Sequence, residues 1–198
     1  ERVRFVLSNT SHPGNIGSAA RAIRTMGFRR LCLVSPALFP HMDAHVLAAG
    51  ADDVLEAALQ FDSLDAAIGD CSLVLGATAR LRGVALEELS PAEAAARAMA
   101  AVSAGREVAY VFGNETSGLS NEEIKLCHVA VHIPSDPSYS SLNLAQAVQV
   151  LAYEARMAAL AGVPPRQGNT DAPATAAELE GFFEHLAMAL HDIEFHKG

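Results

Sequence analysis

Four short stretches collect many of the glycines and small polar residues of this 198-residue chain: SNTSHPGNIGSAAR (residues 8–21), GATARLRG (76–83), FGNETSGLSNEE (112–123) and IPSDPSYSSLNLAQA (133–147). In the first, Gly14 and Gly17 permit a tight turn, and Asn15 or Ser18 could cap a following helix. Arg21 and Arg24 lie three residues apart, on one side of that helix. Two guanidinium groups near a helix N-terminus suit an anion. The alternative is an ordinary capped helix with solvated arginines. Neither the Gly-x-Gly-x-x-Gly dinucleotide fingerprint nor a lysine-bearing P-loop is present, so a nucleotide-binding enzyme is disfavoured.

The third stretch puts Glu115 at the end of a strand expected to be buried. An unpaired buried carboxylate is costly. Glu115 is therefore read either as a catalytic or ligand-orienting group, or as an acceptor for loop N–H groups. Gly113 and Gly118 allow a ligand to approach the backbone closely. In the fourth stretch four serines, two prolines and one asparagine precede an apolar helix. Ser141 or Asn143 suffices as its cap, and the surplus hydroxyls suggest a polar pocket. His12 is the only histidine in these stretches, while His128 and His132 alternate along one strand. No His/Asp/Glu cluster has metal-ligand spacing and no nucleophile–base pair is evident, so no metal is expected.

The elements that must position these residues are short apolar runs alternating with helical patterns. Strands are expected near 2–8, 30–35, 72–77, 107–113 and 128–133, and helices near 17–27, 42–49, 62–69, 90–104, 120–126 and 142–161. Ser120 with Glu123 reads as a capping box, and Ser90 before Pro91 as a plain helix start. Strands without clean polar alternation, separated by helices, imply a mostly parallel Rossmann-like sheet covered by helices on both faces, an α/β doubly wound domain. In such a sheet ligands bind beyond the carboxyl ends of the strands, so the four stretches should converge on one edge. AGVPPRQGNTDAPAT reads as a linker and AAELEGFFEHLAMALHDIEF as one more amphipathic helix. The expected organisation is a domain over 1–161, a linker over 162–174 and a helical extension over 175–198.

Composition bounds the function classes. The chain is 51% hydrophobic, enough for a sizeable core. Cys32, Cys71 and Cys127 are far apart and read as buried core residues of a reduced, cytoplasmic protein without a zinc site. No apolar run is long enough for a transmembrane helix, and no signal-peptide pattern opens the chain, so no membrane partner is expected. The net charge of −9 argues against a nucleic-acid partner, but it is unevenly spread. Residues 1–30 hold six arginines and one acid, which could form a local basic face; residues 161–198 hold two bases and six acids.

NIGSAARAIRTMGF, VFGNETSGLSNEE and IPSDPSYSSLNLAQAVQVLAYE, in this order and at these intervals, resemble the three motifs of SPOUT-class RNA 2′-O-ribose methyltransferases. The resemblance covers roughly residues 2–160. Within the class, TSHPGNIGSAARAI and SSLNLAQAVQVLAYE are most similar to the TrmJ type, which methylates the ribose of nucleotide 32 in the tRNA anticodon loop. The resemblance implies a deep trefoil knot in the C-terminal part of the domain, S-adenosyl-L-methionine held bent in the knotted loops, and a homodimer acting on tRNA. It implies cofactor contacts from Ala77, Thr78, Ala79, Gly113, Ile133, Ser140, Ser141 and Leu142, and a catalytic set of Arg21, Asn15 and Ser141. Arg21 would be contributed across the dimer. A guanidinium is always protonated, so Arg21 is expected to hold a neighbouring phosphate and stabilise the emerging alkoxide rather than act as a base. Ala77 departs from the threonine common in relatives, and the TrmJ type tends to a longer C-terminal extension than the stretch ending in EFHKG, which is read as either naturally short or cut. Two further readings share the motifs: an rRNA methyltransferase of the same class, and an RNA-binding module without catalysis.

Overall fold

A computed structural model describes residues 2–79, 86–161 and 176–192, the last with backbone alone for 176–180. The chain runs β1 (Val3–Ser8), α1 (Pro13–Thr25), β2 (Arg30–Val34), α2 (Met42–Ala48), α3 (Asp52–Glu56), β3 (Leu59–Phe61) and α4 (Leu64–Ile68). It continues through β4 (Leu73–Ala77), β5 (Glu88–Leu89), α5 (Pro91–Ser103), β6 (Val108–Phe112), α6 (Asn121–Lys125), β7 (Val129–Val131), α7 (Leu144–Leu160) and α8 (Ala176–Asp192). It divides into two units, Glu1–Ala161 and Gly162–Gly198.

The first unit is built on one sheet in the order β3-β2-β1-β6-β4-β7-β5, with every pairing parallel. Side chains alternate between two apolar layers. Phe5, Leu7, Leu31, Leu75, Tyr110 and Phe112 meet α1, α2, α3, α5 and α7 on one face. Val6, Cys32, Val74, Ala109 and Val111 meet α4 and α6 on the other. Burial on both faces is why these strands carry almost no polar residues.

The expected capping box forms at Ser120–Glu123, and the helix start expected at Ser90 is also a capping box, closed by Glu93. Helix α7 starts with a third box: Asn143, not Ser141, caps it and pairs with Gln146. Helix α1 begins at Pro13 rather than near residue 17. Its N-cap is His12, without a side-chain cap bond, so neither Asn15 nor Ser18 serves as cap. The fixed φ of proline suits the first helical position, so the helix takes in the glycines that were expected to turn. Gly17 serves packing instead: a Cβ there would lie 2.0 Å from the Ala44 carbonyl oxygen, where α2 crosses.

The short α3, β3 and β5 were not foreseen; two to five residues show no period. Cys32 and Cys127 are buried, but Cys71 is only half-buried, in the turn ahead of β4. The N-terminal arginines do not form an open basic face. Arg2, Arg4 and Arg30 share Glu107, and Arg24 and Arg29 share Asp53.

The last strand along the chain, β7, lies between β4 and β5, which are joined by residues 78–87. The expected knot involves that link, and its residues 80–85 lie outside the described residues. The second unit contributes α8, whose described apolar side chains Phe182, Phe183, Leu186 and Met188 are exposed. Among the described residues no helix is long and apolar enough to cross a membrane.

Candidate active site

All strands being parallel, their carboxyl ends share one edge of the sheet. At the neighbouring ends of β6, β4 and β7 lies a cavity of about 310 Å³. Its walls include Ala77, Thr78 and Ala79 after β4, Gly113 after β6, Ile133 after β7, and Ser140, Ser141 and Leu142 ahead of α7. The eight residues expected to bind a cofactor therefore lie together.

Other residues of the wall were not expected there, among them Phe112, Asn114, Ser117, Leu119, Ile124 and Leu144. Asn114 shapes the loop after β6. Its Oδ1 accepts hydrogen bonds from Thr116 N (3.0 Å), Ser117 N (2.8 Å) and Ser117 Oγ (3.0 Å). Gly118, at φ +69°, closes that loop with an N–H donated to Asn114 O at 3.0 Å. A Cβ on Gly113 would lie 2.0 Å from the Gly118 carbonyl carbon, so the loop folds back on itself only because Gly113 has none. The Gly-x-x-x-x-Gly spacing around Asn114 was the available signal.

Glu115 faces the other way, onto the segment after β1. Its Oε2 accepts from Ser11 N (3.0 Å) and Ser11 Oγ (2.8 Å), and its Oε1 from His12 N (3.1 Å) and Asn15 Nδ2 (2.9 Å). Burial by itself would raise its pKa, but the bonds from Asn15 and Ser11 outweigh it and hold the carboxyl at about 2. Of the two readings open for Glu115, this geometry is that of the loop acceptor. Asn15 is bonded at both ends, because its Oδ1 accepts from Asn143 Nδ2 at 2.9 Å. Asn15 thus joins the cavity loop to the cap of α7.

Glu123 does more than box α6. It also accepts from Ser8 Oγ and, at 3.3 Å, from Asn9 Nδ2, tying the end of β1 to α6. Cys127 lies beneath Gly76, where a Cβ would come within 2.7 Å of its Sγ. Burial first, and the Glu123 carboxylate second, push that thiol up to about 12, so it is not a nucleophile at neutral pH.

Arg21 is exposed and lines a separate shallow depression with Ser18 and Thr25 of α1 and Asn143, Gln146 and Gln149 of the α7 start. Of the proposed catalytic trio, Ser141 therefore belongs to the cavity, Arg21 to the depression, and Asn15 to the link between them. Among the described residues Arg21 has no ion-pair partner, unlike Arg24, which meets both Asp53 oxygens at 3.2 and 2.9 Å.

Comparison with known proteins agrees with this architecture. A tRNA (cytidine/uridine/adenosine-2'-O-)-methyltransferase TrmJ of Pseudomonas aeruginosa is 50% identical over 204 residues, spanning 98% of this chain and 79% of that protein. Among solved structures, a probable methylase family protein from Haemophilus influenzae superposes with a TM-score of 0.77 at 42% identity, over 98% of this chain and 81% of the other. TrmJ from Z. mobilis ZM4 gives 0.73 at 34% identity, over 97% and 81%. Residues 2–153 match the model of the SpoU rRNA Methylase family, which takes in all seven strands and the cavity loops, and the chain belongs to that family.

Proposed function

We propose that the protein is an S-adenosyl-L-methionine-dependent tRNA methyltransferase that methylates the ribose 2′-oxygen of an anticodon-loop nucleotide, C or U at position 32. The observation that carries this reading is the gathering of Ala77, Thr78, Ala79, Gly113, Ile133, Ser140, Ser141 and Leu142 around one cavity. The lining suits the cofactor. Phe112, Leu119, Ile133 and Leu142 offer apolar contact for an adenine ring, and Thr78, Ser140 and Ser141 offer hydroxyls. Among the described residues Glu115 is the only charged one of the lining. When bound there, the cofactor supplies an electrophilic methyl group on a sulfonium.

The chain's own residues supply positioning and charge. The exposed Arg21 guanidinium holds the phosphate beside the target ribose and stabilises the negative charge that develops on the 2′-oxygen. The Ser141 hydroxyl orients the ribose at the cavity wall. Asn15 keeps the two regions in register through Glu115 and Asn143. Since Arg21 and Ser141 line different hollows of one chain, we infer a homodimer in which each cavity is completed by the partner's arginine. The exposed Tyr153, Met157 and Leu160 on α7 fit burial against such a partner.

In this reading residues 1–161 form the knotted transferase domain, 162–174 a linker and 175–198 a helical extension. Three cysteines without disulfides fit the reducing cytoplasm. A second substrate, rRNA, is favoured by the family's description; the TrmJ relative at 50% identity favours tRNA.

The test is methyl transfer from labelled cofactor onto bulk tRNA and rRNA, with mapping of the modified nucleotide and calorimetry with S-adenosylhomocysteine. Label on a tRNA ribose at position 32 is expected. Label confined to rRNA moves the assignment to the second substrate, and absence of both label and cofactor binding rejects the enzyme.

A further inference from the structure

We propose that Tyr139 is a stacking platform for a base of the RNA substrate, next to the nucleotide whose ribose is modified; this rests on the RNA methyltransferase reading. Tyr139 is 84% exposed, more than any other large apolar side chain among the described residues. An aromatic ring left in water contributes nothing to the core. Yet the backbone that presents it is closely held.

Asp136 Oδ1 accepts from Ser138 N at 2.7 Å and from Ser138 Oγ at 2.6 Å, and Asp136 O accepts from Tyr139 N at 3.0 Å. Ser135 Oγ donates to Ser140 O at 3.1 Å, closing the loop across its base. Pro134 and Pro137 restrict φ at two further positions. A ring on so constrained a turn loses little conformational entropy when it meets a ligand.

Its position gives the ligand class. Ser140 and Ser141, the next two residues, line the cavity, so the turn that carries the ring leads directly into the cavity wall. Bases of single-stranded loops are unstacked and bind aromatic faces, with little preference among bases. The Asp136 carboxylate at the foot of the same turn repels a phosphate, which favours a base over the RNA backbone here.

The test uses the full chain with Tyr139→Ala, Tyr139→Phe and Tyr139→Trp. It measures KM and kcat for tRNA methylation, affinity for S-adenosylhomocysteine by calorimetry, and mass by sedimentation. Stacking predicts that Tyr139→Ala raises KM for tRNA roughly tenfold or more. Phe and Trp should recover most of that loss, with cofactor affinity and mass unmoved. An unchanged KM in Tyr139→Ala overturns the proposal. So does a Phe variant as impaired as Ala, which would assign the role to the hydroxyl. A fall in cofactor affinity or in mass would make Tyr139 part of the cofactor site or of the subunit interface, and overturns it too. If the wild type methylates no RNA, the RNA reading fails and this inference with it; a normal wild type with an unmoved Ala variant defeats the inference alone.

Discussion

Asn15 and Glu115, a hundred residues apart in sequence, are joined by a 2.9 Å hydrogen bond from the amide of one to the carboxylate of the other. With the bonds from Ser11 and His12, it pins the start of α1 to the loop after β6. In Glu115→Gln one acceptor oxygen becomes an NH₂ facing these donors. The expected cost is roughly 2 kcal/mol of stability at pH 7. Methyl transfer should fall about tenfold as the link to α7 loosens. Because the Glu115 pKa is depressed from 4.5 to about 2, its contribution is complete above 4.5 and is lost as pH falls toward 2. Urea unfolding of wild type and variant should therefore show a gap that closes across that window; a gap independent of pH rejects the ionised acceptor.

Arg21 and Arg24 share a side of α1 but should behave oppositely. Arg21 has no ion-pair partner among the described residues, so Arg21→Ala should leave stability and S-adenosylhomocysteine affinity unchanged while lowering kcat roughly 100- to 1000-fold. Arg24→Ala loses an exposed pair with Asp53, worth under about 1 kcal/mol, and should retain activity. Single-turnover methyl transfer beside calorimetry separates the two. Equal losses in both variants would reduce the arginines to a shared electrostatic patch.

Gly14 and Gly17, both inside α1, carry different steric loads. A Cβ at 17 meets the Ala44 backbone at 2.0 Å, whereas one at 14 meets only the tip of the Leu47 side chain at 2.7 Å. Gly17→Ala should cost roughly 3 kcal/mol or more by forcing α2 away. Gly14→Ala should cost under about 1 kcal/mol, since Leu47 can move and alanine favours the helix. Thermal unfolding of the two variants is sufficient; a mild Gly17→Ala would mean that α1 and α2 separate easily.

These cases mark what the sequence could and could not tell. The central strands were legible because burial on both faces leaves unbroken apolar runs, as in LCLV and VAYVF. The helix starts at Ser90 and Ser120 were legible because their signals are local: a proline directly after Ser90, and Glu123 three residues after Ser120. The cavity followed from strand ends on one edge together with the motif resemblance. What was missed is non-local. Gly17 looked like a turn residue because its contact, Ala44, lies on another helix. Arg24 and Arg21 looked alike because Asp53, which takes one and leaves the other, is 29 residues away. The double bonding of Asn15 depends on Glu115 and Asn143, brought close only by the order of the strands and by α7.

Arg4 tests that non-local logic away from the cavity. It sits within β1, 4% exposed, on the face covered by α4. Its guanidinium donates to Ala67 O at 2.9 Å, to Asp70 at 2.6 Å and to Glu107 at 3.3 Å, and Arg2 and Arg30 also pair with Glu107. Glu107 stands just before β6, so one carboxylate neutralises cations from β1 and β2 beside the sheet's central pairing. In Glu107→Ala, Arg4 keeps Asp70 but loses its more buried partner, and Arg2 and Arg30 lose this ion pair. The expected cost is roughly 3 kcal/mol, since a buried cation robbed of a partner stays desolvated. Glu107 is held ionised below its usual range: burial opposes this, and the Arg30 and Arg4 hydrogen bonds overcome it. The stabilisation is therefore present above the ordinary carboxylate pKa and is lost as pH drops through the depressed one. Replacing Arg4 and Glu107 together, as Arg4→Met with Glu107→Ala, should recover much of the loss, because the packed thioether needs no counter-charge. Denaturant midpoints for the single and double variants decide it: strictly additive losses would show that Arg4 and Glu107 stabilise the sheet independently of each other.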